Sequence, residues 1–132
     1  MKILVVDDDA TMRFLMSEIL DMLGYEHDIV SSADQCIGLL VDAPRAYSMV
    51  LVDLHMPVCT GFDLTKQIRQ LSHLFDRHLP VIAVTADNRC HLKSRLKRFG
   101  LDDVVAKPIL MDNLQAVLSS YGPMTPASSP VS

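Results

Sequence analysis

Short runs in which every residue is apolar alternate along this chain with longer segments whose apolar positions recur every three or four residues. Ile3-Leu4-Val5-Val6, Met49-Val50-Leu51-Val52 and Val81-Ile82-Ala83-Val84 are apolar at every position, as in strands covered on both faces of a parallel sheet. His27-Asp28-Ile29-Val30 is more polar and suits an edge strand, and Val104-Val105-Ala106 makes a short fifth strand. The first helix carries Met12, Leu15, Met16, Ile19, Leu20 and Leu23 on one face, with Arg13, Glu18 and Asp21 on the other. Asp9 serves as its cap and Gly24 as its stop. Ser32 and Gln35 form a capping box for a second helix bearing Cys36, Ile37 and Leu40. Thr60 and Asp63 cap a third with Leu64, Ile68, Leu71 and Phe75. A fourth, about Asn88 to Phe99, has a thin stripe of Leu92, Leu96 and Phe99. The last shows Leu110, Leu114, Val117, Leu118 and Tyr121 before Gly122 and Pro123.

Five strands alternating with five helices predict an α/β fold, a doubly wound five-stranded parallel sheet for which the flavodoxin-like order 2-1-3-4-5 is one common form. A chain of 132 residues supports one core. The domain is expected over residues 1–122, followed by a frayed tail over 123–132 that is rich in serine and proline.

Composition narrows the function classes. Hydrophobic residues at 49% and charged residues at 21% describe a chain that folds rather than a disordered one. A net charge of −4 excludes a general nucleic-acid binder. Three cysteines without C-x-x-C spacing give neither a disulfide framework nor a zinc site. The five histidines have no metal-ligand spacing on one face and are expected at the surface. No apolar run is long enough to span a bilayer, and the first residues do not read as a signal peptide, so a cytoplasmic location is expected.

In open α/β sheets, ligands sit beyond the carboxyl ends of the strands, where strand order reverses. Asp7 and Asp8 end the first strand, Asp53 the third, Thr85 the fourth and Lys107 the fifth, so one rim collects all five. Three converging carboxylates repel one another, and Mg²⁺, which favours oxygen ligands and a phosphate, is the natural compensating ion. A carboxylate nucleophile, a metal, an ammonium and a hydroxyl together suit phosphoryl transfer.

V-V-D-D at residues 5–8, D-L-H-M-P from Asp53 with Gly61 downstream, V-T-A at 84–86 and A-K-P at 106–108 resemble the receiver domain of two-component response regulators, over about residues 2–121. The resemblance implies that Asp53 is the phosphoacceptor, that Thr85 and Lys107 hold the phosphoryl oxygens, and that Mg²⁺ is held by Asp8, by Asp7 largely through water, by Asp53 and by the backbone carbonyl of His55. It implies a sensor histidine kinase or a histidine phosphotransfer protein as donor. An unidentified output protein would be met at the face of helix four, strand five and helix five. It implies a switch rather than a multiple-turnover enzyme, with His55 and Asp87 tuning loss of the phosphoryl group. With little chain after Lys107, output is expected to pass by contact in trans.

Two positions depart from that pattern. Val104 stands where the family usually has an aromatic residue that turns inward, so readout must use another element. Cys59-Thr60 precedes Gly61 where Met-Asp is common, a change of helix cap. Arg89, Lys93, Arg95, Lys97 and Arg98 on the fourth helix are either a solvated face near a helix C-terminus or a docking surface for an acidic partner. Two other functions compete. Asp7 to Thr11 also reads as D-x-D-x-T, the nucleophile motif of haloacid-dehalogenase-like phosphatases, although a helix directly after it leaves no room for their flap. A binding module that ignores phosphate is the third reading, with Val104 its only hint.

Overall fold

The computed structural model describes residues 2–54, 60–75, 77–86 and 96–121. Five strands, β1 (Lys2–Val6), β2 (His27–Val30), β3 (Tyr47–Asp53), β4 (Val81–Thr85) and β5 (Asp103–Ala106), form one sheet in the order β2-β1-β3-β4-β5. All four pairings are parallel. Helices α1 (Ala10–Leu23), α2 (Ala33–Asp42) and α3 (Gly61–Gln70) follow the first three strands, and a C-terminal helix spans Met111–Tyr121. Of the fourth predicted helix, residues 96–98 are described and helical. Residues 87–95, with Leu92, His91 and the basic Arg89, Lys93 and Arg95, lie outside the described residues, as do Cys90, Asp87 and the tail from Gly122. No helix among the described residues is long and apolar enough to cross a membrane.

Strand alternation explains why the sheet needs cover on both sides. Leu4, Val6, Val50, Val52, Val81 and Ala83 pack with Cys36 and Leu40 of α2 and Leu64 and Ile68 of α3. Their strand neighbours Ile3, Val5, Met49, Leu51, Ile82 and Val84 pack on the other face with Met16, Ile19 and Leu20 of α1 and Leu114 and Leu118 of the C-terminal helix. A side-chain period of two thus divides each apolar run between two cores. β2, at the edge, has no fully buried residue.

The caps follow the sequence closely. Asp9 accepts from the Thr11 N–H, and Gly24 ends α1 at φ +83°. Thr60 and Asp63 form a complete capping box. Ser32 accepts from the Gln35 N–H, but the Gln35 side chain accepts from Ser31 instead of closing the box on Ser32.

Three expectations are corrected. Leu71 and Phe75 are not helical residues of α3, because the chain tightens after Gln70 into a short 3-10 turn, Ser72–Leu74. Leu110 precedes the C-terminal helix and is 57% exposed; its carbonyl, not its side chain, serves the helix by accepting from the Leu114 N–H. His27 is not a surface residue, since its side chain is only 10% exposed between the Tyr25 carbonyl and the Ser17 hydroxyl. His73 and His78 are exposed.

A polar network closes the edge of the sheet opposite the rim. From the last turn of α3, Arg69 donates to the Leu79 carbonyl at 2.7 Å, to the Gly100 carbonyl at 2.9 and 2.6 Å, and to Asp102 at 2.9 Å. Asp102 also accepts from the Val81 N–H at 2.8 Å and meets His78 at 2.8 Å. Gly100 has φ +89°, and a Cβ there would approach Arg69 Cγ at 3.0 Å, so a larger residue is opposed both by backbone conformation and by space. Replacing Arg69 with Met removes the side-chain donor from two carbonyls and the guanidinium from the Asp102 carboxylate, which keeps the Val81 N–H and His78, with an expected loss of about 2 to 4 kcal/mol. In urea unfolding, Arg69→Met is expected to lower the midpoint without changing the slope. Removing the half-exposed Lys2–Asp28 pair by Lys2→Met is expected to change stability by about 0.5 kcal/mol or less.

Candidate functional site

Register assembles the rim. β1 and β3 run parallel with Val6 opposite Val52, so the next residues, Asp7 and Asp53, emerge side by side at the point where strand order reverses. β4 runs one residue past β3 at the carboxyl end, with Asp53 opposite Val84 and Thr85 just beyond. Thr85 in turn faces Ala106, and Lys107 follows. The Lys107 N–H donates to the Thr85 carbonyl at 2.8 Å, extending the ladder to the lysine itself.

The side chains converge accordingly. Asp7, Asp8 and Asp53 each offer a carboxylate oxygen, and these oxygens lie within 4.8 Å of one another. Asp7, Asp53 and Thr85 are buried, whereas Asp8 is exposed. Lys107 Nζ stands 3.5 Å from Asp53 and 3.9 Å from Asp7. With all three acids ionised and Lys107 charged, the cluster carries −2. Two unit charges at that separation repel by about 1 kcal/mol in water and by about 3 to 4 kcal/mol at an effective dielectric of 20. One divalent cation would cancel the excess, and an all-oxygen donor set of this kind suits Mg²⁺.

The remaining predicted ligand, the His55 carbonyl, and Cys59 lie outside the described residues. The other sequence-predicted site residues are brought together. Asp9, the third acid, is not in the site: exposed, it caps α1 as expected, which removes the second aspartate of a D-x-D-x-T reading from the rim. Arg13 corrects the sequence reading. Expected on the outer face of α1, it instead donates from Nη1 to the Asp7 carbonyl at 2.9 Å and braces the turn that carries Asp7 and Asp8. Its position four residues after the cap, one helical turn on from Asp9, was the available signal.

Gly61 is required where α3 meets the rim. A Cβ there would stand 2.7 Å from the Asp53 carbonyl oxygen and 2.8 Å from Leu54 Cα, closer than a side chain tolerates. Cys36, by contrast, is a core thiol pushed up to about 12 by burial, too weak an acid to react.

The Asp7 carboxyl is pushed up to about 6, first by burial and also by the charge of Asp53, against the Asp9 N–H and Lys107, which favour its ionised form. Because the folded-state value lies above the ordinary 3.8, this group favours folding fully below about 4, and that advantage is lost as pH rises through about 6. In chelator, Asp7→Asn is therefore expected to be more stable than wild type at pH 7, by on the order of 2 to 3 kcal/mol, with the difference closing as pH falls toward 4. Thermal unfolding of both proteins across that range checks it; equal stability at pH 7 would contradict the strained carboxyl.

The family model described as "Response regulator receiver domain" matches residues 3–119. Over 121 residues the chain is 35% identical to the sensor histidine kinase RcsC of Escherichia coli K12, covering 92% of this chain and 12% of the kinase. Over 117 residues it is 32% identical to the two-component response regulator ARR14 of Arabidopsis thaliana, covering 89% of this chain and 30% of that protein. The chain thus spans a small part of the length of these relatives. Among solved structures it is similar to the chemotaxis protein CheY4 of Vibrio cholerae, with a TM-score of 0.81, 26% identity and coverage of 91% and 97% of the two chains. The co-crystal structure of the Saccharomyces cerevisiae histidine phosphotransfer signalling protein Ypd1 with the receiver domain of Ssk1 shares the fold, with a TM-score of 0.81 at 20% identity over 92% of this chain and 88% of that one. Four strand-end motifs, the 2-1-3-4-5 sheet that gathers them and a family match over nearly the whole chain converge on one conclusion: this chain belongs to the response regulator receiver domain family.

Proposed function

We propose that the chain is a phosphorylation-dependent switch in which Asp53 accepts a phosphoryl group from a phosphohistidine. The observation that carries this reading is the convergence of the Asp7, Asp8 and Asp53 oxygens within 4.8 Å, with Lys107 Nζ 3.5 Å from Asp53. An Asp53 carboxylate oxygen attacks the phosphorus as the N–P bond of the donor breaks, forming an acyl phosphate and releasing the imidazole, which takes up a proton. Lys107 follows the charge onto the transferred oxygens, and the Thr85 hydroxyl donates a hydrogen bond to one of them. Asp7, Asp8, Asp53 and the His55 carbonyl are the groups that would hold Mg²⁺. When bound, the ion supplies neutralisation of the carboxylates and the incoming phosphoryl oxygens.

The donor class follows from the relatives, two-component kinases and response regulators, in which the matching segment is one part of a longer chain. A sensor histidine kinase or a histidine phosphotransfer protein is the proposed partner. Output passes by protein contact at the face of the fourth helix, β5 and the C-terminal helix, where, among the described residues, Lys97 and Arg98 are exposed. Charge reversal at Arg95 and Lys97 that left capture of an acidic partner unchanged would remove a role for the basic stripe. A cytoplasmic site of action belongs to the same reading.

Incubation with acetyl phosphate and Mg²⁺ is expected to add one phosphoryl group to the wild-type chain by intact mass and none to Asp53→Ala. Chelation is expected to abolish the gain, and Lys107→Ala to slow it by about tenfold or more. Absence of any gain with every donor would leave a phosphate-independent binding module, and sustained turnover of p-nitrophenyl phosphate would point to a phosphatase.

A further inference from the structure

Helix α3 meets the rim at one end and holds residues 96–101 at both. At its start, Gly61 packs against the Asp53 and Leu54 backbone with no room for a Cβ, and its N–H donates to the Leu54 carbonyl at 3.3 Å. One residue on, the Phe62 ring meets that of Phe99, with centroids 4.8 Å apart and planes tilted by 55°. At the far end of α3, Arg69 holds the Gly100 carbonyl through two hydrogen bonds, of 2.9 and 2.6 Å. Leu96 is buried in the core beneath, while Phe99 remains 43% exposed and Lys97 and Arg98 face solvent.

These contacts differ in compliance. Close-packed backbone cannot slide, so a shift of the Asp53–Leu54 peptide is passed on to Gly61 and the first turn of α3. A charged fork on a carbonyl is a firm pivot. A tilted ring pair with one ring half in solvent has several nearby arrangements of similar energy and can change geometry without opening a cavity. Of the two contacts with residues 96–101, the Arg69–Gly100 hydrogen bonds are the firmer and the Phe62–Phe99 ring pair the more compliant.

We propose that helix α3 carries the state of Asp53 to the surface, and that the Phe62–Phe99 ring pair is the contact that moves, repositioning Lys97, Arg98 and Phe99 for a partner. The inference rests on the phosphoacceptor reading of Asp53. An added phosphoryl group and its counter-ion rearrange the carboxyl end of β3, and Gly61 is the nearest rigid follower.

The chain has no tryptophan, so Phe99→Trp introduces a single emission reporter. Phosphoryl uptake from acetyl phosphate with Mg²⁺ is followed by intact mass in the same sample. Emission of the Phe99→Trp protein is expected to shift in proportion to uptake. Adding Phe62→Leu is expected to retain uptake and lose the shift, and adding Phe62→Tyr to retain both. Ring resonances of Phe62 and Phe99 in wild-type protein carrying ¹³C-labelled phenylalanine provide the same test without tryptophan. Full uptake with unmoved ring signals, or a shift that survives Phe62→Leu, overturns the relay while leaving the phosphoacceptor reading intact. No uptake by the wild-type chain overturns that reading, and the relay with it.

Discussion

Parallel pairing of β1 with β3 sets like charges against each other. The register that buries Val6 beside Val52 necessarily places Asp7 beside Asp53, because each acid directly follows its valine. Neither can retreat into solvent: both are buried, and slipping the register by one residue would exchange the side chains of the strand between two differently packed cores. The hydrophobic cores thus hold together carboxylates that would separate if free. The result is a rim with unspent affinity for positive charge, met in part by Lys107 and expressed in the raised proton affinity of Asp7. The attraction of this rim for positive charge and its electrostatic strain have one cause, the enforced approach of its carboxylates.

That strain is confined to one edge. At the opposite edge Arg69 and Asp102 satisfy the carbonyls of Leu79 and Gly100 and the N–H of Val81. Between the two edges the strands β1, β3 and β4 are buried nearly throughout. A sheet firm at its base and electrostatically loaded at its rim suits a switch, because change at the rim need not loosen the fold. Helix α3 is the element attached to both, through Gly61 at the rim and Arg69 at the base.

Much of this was legible in the sequence because the signals are local or periodic. Unbroken apolar runs marked the inner strands, and Asp9, Gly24, Thr60 and Asp63 marked helix ends through hydrogen bonds that span a few residues. Asp7, Asp8, Asp53, Thr85 and Lys107 could be assigned to one rim because each ends a strand or lies within two residues of its end, and a parallel sheet brings its carboxyl ends to one side. Errors arose where periodicity continued past a real boundary. The spacing of Leu71 and Phe75 fits α3, yet the chain turns after Gln70, where Arg69 is drawn down to Gly100 and Leu79. His27 reads as polar and edge-like, but α1 folds over it and Ser17 meets its ring.

The sequence by itself determined the fold class, the order of elements and the residue types at the strand ends, since these follow from apolar periodicity and from chemistry that each residue carries alone. Only the tertiary structure decided the raised proton affinity of Asp7, the turn of Arg13 toward the Asp7 carbonyl, the necessity of Gly61 and the meeting of Phe62 with Phe99. Proton affinity depends on burial and on neighbours distant in sequence. Close approach depends on where two backbones stop against each other, and neither quantity exists until the chain is packed.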